Sequence, residues 1–292
     1  MAEAAYLGQI LVNGLSIGCI YGLIGIGFCV IYNASGIVNF AQGAFVMLGG
    51  MVTFVLMSAL GLPVLLAAAL AVVAVAALGA AIERLVVRPL WDRNATMFVM
   101  ILATLAAQIV IERATLIAVG DQPKSIPVFT DLPPIRIAGI SIGYQILWII
   151  GSSLALIALL ALFFQRTLVG RAMRACAINR EAAALQGIPV SRMLALSFAL
   201  SAALGALAGI LLTPTQFTAF NLGTPFAISG FIAAIVGGFG RPLGAFLGGI
   251  VLGLAQALAV VTLGAGLKNV AALSVLLVFL FFRPSGILGA RS

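Results

Sequence analysis

Long apolar runs joined by short polar stretches make up most of the sequence: 7–31, 40–60, 63–86, 97–119, 144–164, 193–212, 226–239, 243–263 and 269–282. An α-helix needs about 20 apolar residues to cross a bilayer, so the pattern predicts an all-α, polytopic bundle of about eight or nine spans, forming a single transmembrane domain over 1–292. Two runs predict broken helices. The run 226–239 is short for a crossing, and the stretch 33–50 is interrupted by Gly36, Gly43, Gly49 and Gly50. The first run follows Glu3 and no Lys or Arg; a cleaved leader has a basic start and a shorter core, so this run is read as a spanning helix.

Composition removes most alternatives. Of 292 residues 63% are apolar and 8% charged, against about 25% charged in a soluble domain. The formal net charge is +8, but the cations are sparse and sit between apolar runs, which excludes a nucleic-acid surface and makes them topology signals. Arg84, Arg88 and Arg93 follow the third run, and Arg166, Arg171, Arg174, Arg180 and Arg192 the fifth. Arg241 follows the seventh, and Arg283 and Arg291 close the sequence. If every run crosses, all of these share one face, which the positive-inside rule makes cytoplasmic, with the amino terminus outside and the carboxy terminus inside. The connection 120–143 balances Lys124 and Arg136 against Asp121 and Asp131. It carries Pro123, Pro127, Pro133 and Pro134, which keep it out of helix and predict an ordered external loop.

There is no histidine, and the acids are scattered, so histidine-based acid–base chemistry, zinc sites and paired-carboxylate catalysis are not expected, nor is any cofactor or metal. Cys19, Cys29 and Cys176 lack CxxC spacing and read as packing residues. Neither Lys124 nor Lys268 follows the glycine-rich pattern of a nucleotide-binding loop. Glu83, Glu112 and the aspartates read as lying at or beyond the ends of the apolar runs, which disfavours protonation-driven transport. Polar groups inside apolar runs are path candidates, because hydrocarbon penalises them: Asn39 and Gln42 with Phe40 at the first break, Gln108, Thr213, Thr215 and Gln216, Ser229 and Gln256. Asn39 and Gln42 flank a helix start, where free N–H groups suit a substrate carboxylate or, equally, where these amides cap the break. Small residues at four-residue spacing, Gly14, Gly18 and Gly22 in the first run, Gly205 and Gly209 in the sixth, and Gly244 and Gly248 beside Gly249 and Gly253 in the eighth, predict close helix–helix contacts.

The arginine-rich connection 166–192 predicts a short helix of its own. Asn179 is an N-cap, Glu181 complements the positive helix end, Ala182, Ala183 and Ala184 favour helix, Gly187 suits a left-handed closing position and Pro189 prevents continuation. Glu181-Ala182-Ala183, with Gly187 four residues on, resembles the EAA loop of ABC importer permeases, without the Ile-x-Leu-Pro of its fuller form. Three further stretches extend the resemblance nearly end to end: Val38-Asn39-Phe40-Ala41-Gln42-Gly43, the glycine-rich segment 233–249, and Phe282-Arg283-Pro284-Ser285-Gly286-Ile287-Leu288-Gly289. Together they are similar to the LivH-type permeases of branched-chain amino acid ABC importers. That resemblance implies an inner-membrane permease subunit with no enzymatic activity of its own. It also implies a second, homologous LivM-like permease, two ABC ATPase subunits and a periplasmic substrate-binding protein as partners, in contact with membrane lipid. Arg174, Asn179, Arg180, Glu181, Ala182, Ala183 and Gly187 would form the ATPase-coupling segment. The sequence departs from the family where relatives often carry Glu, Lys and Glu and this chain has Ala44, Ser229 and Gln256. A joint neutralisation predicts that the three positions are neighbours. A stand-alone secondary carrier or channel for small amides, urea or other small polar solutes is the alternative.

Overall fold

The computed structural model describes residues 2–137 and 139–289; Arg291, counted above among the cations, lies outside the described residues. The helices are α1 (Ala2–Ser35), α2 (Gln42–Leu60), α3 (Val64–Ile82), α4 (Arg88–Asp92), α5 (Met97–Val119), α6 (Tyr144–Arg166), α7 (Leu168–Ile178), α8 (Arg180–Leu185), α9 (Val190–Gln216), α10 (Gly223–Gly237), α11 (Pro242–Leu263) and α12 (Lys268–Phe282). A π-helical turn, Glu83–Val87, joins α3 to α4 without interruption, and a 3-10 turn, Ala265–Leu267, leads into α12. Among the described residues, 8 helical stretches are long and apolar enough to cross a membrane; the 15-residue α10 is the short apolar helix between them.

α1 is the axis of the bundle. Every residue from Gly18 to Ile31 is buried, as a helix apolar on all sides requires, and α9, α10 and α11 wrap it. Glycine permits this. A methyl group at Gly14 would meet Gly253 and Ala257, one at Gly18 would meet Gly249 and Ile250, and one at Gly22 would meet Phe246. In lipid such backbone approach is a main source of helix association. Gly244 and Gly248 serve a different contact, with Gly237 and Ala233 of α10.

The break between the first two spans is narrower than the glycine pattern predicts. Only 36–41 leaves the helix, and α2 runs through Gly43, Gly49 and Gly50, which lie against Gly223, Ala206 and Thr213. These glycines make room for neighbours rather than ending the helix. α10 is short because it starts inside the bundle. The rings of α10, and Phe239 just beyond it, follow the second half of α1 in parallel: Phe226 with Tyr21 at 5.8 Å, Phe231 with Phe28 at 5.6 Å and Phe239 with Tyr32 at 4.6 Å.

The two ends of the bundle differ. At one, β1 (Ile135–Ile137) and β2 (Ile140–Ile142) form an antiparallel hairpin within 120–143. Ser141 N–H donates to Gln9 there (2.9 Å), and the Lys124 and Thr218 backbones exchange two 2.7 Å bonds. At the other, Asn33 Nδ2 donates to the Gly240 carbonyl (2.7 Å), and the final segment straps the end of α10 through Ile287 N–H to Val236 and Leu288 N–H to Gly237. The first part of the glycine-rich segment 233–249 and the motif 282–289 are therefore halves of one contact.

Candidate functional site

The connection 166–192 holds two helices where the sequence suggested one. Thr167 Oγ1 accepts from Gly170 N–H (2.9 Å) and starts α7. Asn179, in extended conformation, ends α7 and caps α8 at once: its N–H donates to Ala175, and its Oδ1 accepts from Ala182 N–H (3.0 Å). α8 closes at Gly187, φ +77°, with Gly187 N–H to Ala184 (2.9 Å) and Ile188 N–H to Ala183 (3.1 Å), the left-handed closure that glycine allows without strain. Ala183 is buried, while Glu181, Ala182 and Ala184 are exposed. Ile178 and Leu185 are 87% and 88% exposed. Both are large apolar side chains standing out from a polar, arginine-rich end of the bundle.

Trp91, which sequence reasoning did not single out, and the Glu83–Arg88 pair, whose members were read only as a run-end acid and a topology cation, anchor this segment. The Arg180 guanidinium lies 4.5 Å from the centroid of the Trp91 ring, and burial lowers its pKa from the ordinary arginine value. Arg88 pairs with Glu83 through two bonds, 3.2 Å from Nε and 3.0 Å from Nη2, and also donates to the Ser191 carbonyl (3.1 Å) at the first turn of α9. The Glu83 side chain has no exposed surface. α8 is thus tied at its first residue, and the start of α9 just beyond it, to the α3–α4 helix. A cavity of about 480 Å³ opens at the same end, lined by Asn33, Phe164, Met173, Arg174, Arg241 and Leu243 among others.

Two groups of path candidates lie at the first break and beside Tyr21. At the break, Asn39 Oδ1 accepts from Ala41 N–H (3.1 Å), Phe40 N–H donates to Thr104 Oγ1 (3.2 Å), and Gln42 Nε2 donates to the Ser201 carbonyl (3.2 Å). Ser201 Oγ lies 2.6 Å from Gln42 Oε1 and 2.8 Å from the Gly27 carbonyl. Gln42 therefore starts α2 level with Gly27, inside the bundle, and joins three helices. Elsewhere Tyr21 Oη donates to Gln256 Oε1 (2.7 Å), with Ser229 beside it. Of the three positions expected to be neighbours, Ser229 and Gln256 meet at Tyr21, while Ala44 lies against Gly223 at the start of the helix that carries Ser229. Thr213 and Thr215 bond back to their own helix, and Gln216 is exposed. The Nδ2 of Asn39 and the Nε2 of Gln256 are buried without a partner.

A third polar group joins α5 to α10. Gln108 Nε2 donates to Glu112 Oε1 (3.1 Å) and Thr224 Oγ1 (2.7 Å), and Thr224 Oγ1 lies 2.9 Å from Glu112 Oε1. Glu112 is not at the end of its run, as the sequence suggested. It lies within α5, seven residues before Val119.

The description "branched-chain amino acid transport system / permease component" belongs to the family model that matches residues 10–282. The chain is a member of that family. Among relatives of this permease, the high-affinity branched-chain amino acid transport system permease protein BraD of Pseudomonas aeruginosa is 36% identical over 99% of this chain and 98% of its own. LivH of Escherichia coli K12, of the same description, is 33% identical over 97% and 96%. A probable LivH of Methanocaldococcus jannaschii is 30% identical over 91% and 88%. In fold, the permease is similar to a chain of PsaBC from Streptococcus pneumoniae, with a TM-score of 0.54, 13% identity, and coverage of 95% and 92%.

Proposed function

We propose that this permease is the membrane-spanning subunit of an ABC importer in the bacterial inner membrane and carries branched-chain amino acids released by a periplasmic binding protein. Two ATPase subunits on the cation-rich, cytoplasmic face drive it beside a second, homologous permease. The carrying observation is the surface at α8: a helix capped at both ends, with the exposed apolar side chains of Ile178 just before it and Leu185 at its last position. A helix of two turns is unstable alone in water, and its two anchors give it a rigid seat against which a partner can push.

Coupling then follows the anchors. Closure of the ATPase pair displaces α8. Arg180 on Trp91 and Arg88 on Ser191 carry that displacement to the α3–α4 helix, and the population of outward-open and inward-open states shifts according to which partner state binds each better. Gly187→Pro removes the Gly187 N–H bond and a φ that proline cannot adopt, and Glu181→Lys places a cation at the positive end of α8. Both variants are expected to insert normally while uptake in the assembled system falls at least about tenfold, the scale of losing about 1.4 kcal/mol of coupling. Unchanged uptake in both overturns the coupling role. Uptake by the purified chain alone in liposomes overturns the importer reading in favour of a secondary carrier.

A further inference from the structure

Glu112 is an ionisable side chain inside a span, about 10 Å from the far end of α5 at 1.5 Å per residue. Such a group does not face lipid without large cost. Yet Glu112 is only half-buried and Thr224 is exposed, so in the membrane this face must meet water, solute or protein. The group is also rich in acceptors. Gln108 is 6% exposed, and its Oε1 is buried with no partner, while its Nε2 is already shared between Glu112 and Thr224. Beside it α10 begins at Gly223 with no side-chain cap, and its first turn lies against the start of α2, where a methyl at Gly43 would strike the Gly223 carbonyl. Two helix N-termini, each with the positive end of its dipole, therefore meet next to a carboxylate and an unpaired amide oxygen.

From this arrangement we infer that Gln108, Glu112 and Thr224 form a wet station on the translocation path that receives the ammonium group of an amino acid. An ammonium has three donors and no acceptor. The station offers it the Glu112 carboxylate, the Thr224 hydroxyl oxygen and the Gln108 Oε1. The uncapped first turn of α10 suits the carboxylate of the same zwitterion, as half-helix starts do at other membrane sites. The inference rests on the amino-acid substrate proposed above, and the test separates the two.

The experiment uses the complete transporter in proteoliposomes, with leucine delivered by its binding protein. Glu112→Gln is expected to lower maximal uptake at least about tenfold, on the scale of a lost charge-assisted contact, and Glu112→Asp to restore most of it. Independently, Glu112→Cys should react with a water-soluble, cationic methanethiosulfonate reagent, whereas Val110→Cys, on an exposed apolar position of α5, should not. The native cysteines are buried, so the parent chain is the blank. If the parent complex takes up no leucine, the substrate reading fails. If it does and Glu112→Gln matches it within about twofold, or position 112 labels no faster than 110, the station is overturned.

Discussion

At Glu83 a fully buried carboxylate faces a guanidinium that is 30% exposed, and this inequality sets which partner can be lost. Arg88 freed of Glu83 still has solvent and the Ser191 carbonyl; Glu83 freed of Arg88 has neither. Arg88→Met is therefore expected to cost about 2–4 kcal/mol and Glu83→Gln about 1 kcal/mol, with the Glu83→Leu/Arg88→Met pair recovering most of the loss. Thermal unfolding in detergent ranks the three, and an equal loss for both single variants would refute the asymmetry. This pair was not legible in the sequence for a geometric reason. Five residues lie about 140° apart around an α-helix, so the spacing argues against contact, and only the π turn at Glu83–Val87 brings both to one face.

The elements that depend on local signals were the most legible. Asn179, Gly187 and Pro189 are read by the backbone within a few residues, and the structure puts the cap, the left-handed turn and the stop of α8 where that chemistry places them. α7 was missed, because its arginines hide a face built from Gly170, Met173 and Cys176 that is buried only once α1, α6 and α9 surround it. The glycines of α2 were misread for a related reason: a glycine that ends a helix and one that admits a neighbour look alike until the neighbour is known. Gly249 is of the second kind. A methyl there would collide with the backbone of Gly22 and Gly18, so Gly249→Val should destabilise by about 1–3 kcal/mol through overpacking. Gly151→Ala, with open space around the added methyl, should stay within about 1 kcal/mol of the parent. Melting temperatures of the two variants in the same detergent test the contrast.

Across the whole molecule, orientation is the property on which the role of α8 depends, and it turns on α10. That helix begins below the end of the bundle marked by the Lys124–Thr218 pairing and reaches the opposite end at Gly238–Gly240, beside Asn33. Short though it is, it returns the chain to the cation-rich end and reverses direction as a crossing does. The number of reversals is kept, and Arg88, Arg174, Arg180 and Arg241 lie at one end of the bundle, the end proposed above to be cytoplasmic by the positive-inside rule. A cysteine replacing the exposed Gln186, just after α8, should react with an impermeant maleimide only in inside-out vesicles. One replacing the exposed Gln122, in the connection after α5, should react only in right-side-out vesicles. If Gln186→Cys labels from outside, α8 is on the wrong side of the membrane for any ATPase. The exposed Ile178 and Leu185 would then need a periplasmic partner, and the importer mechanism built on them would fall.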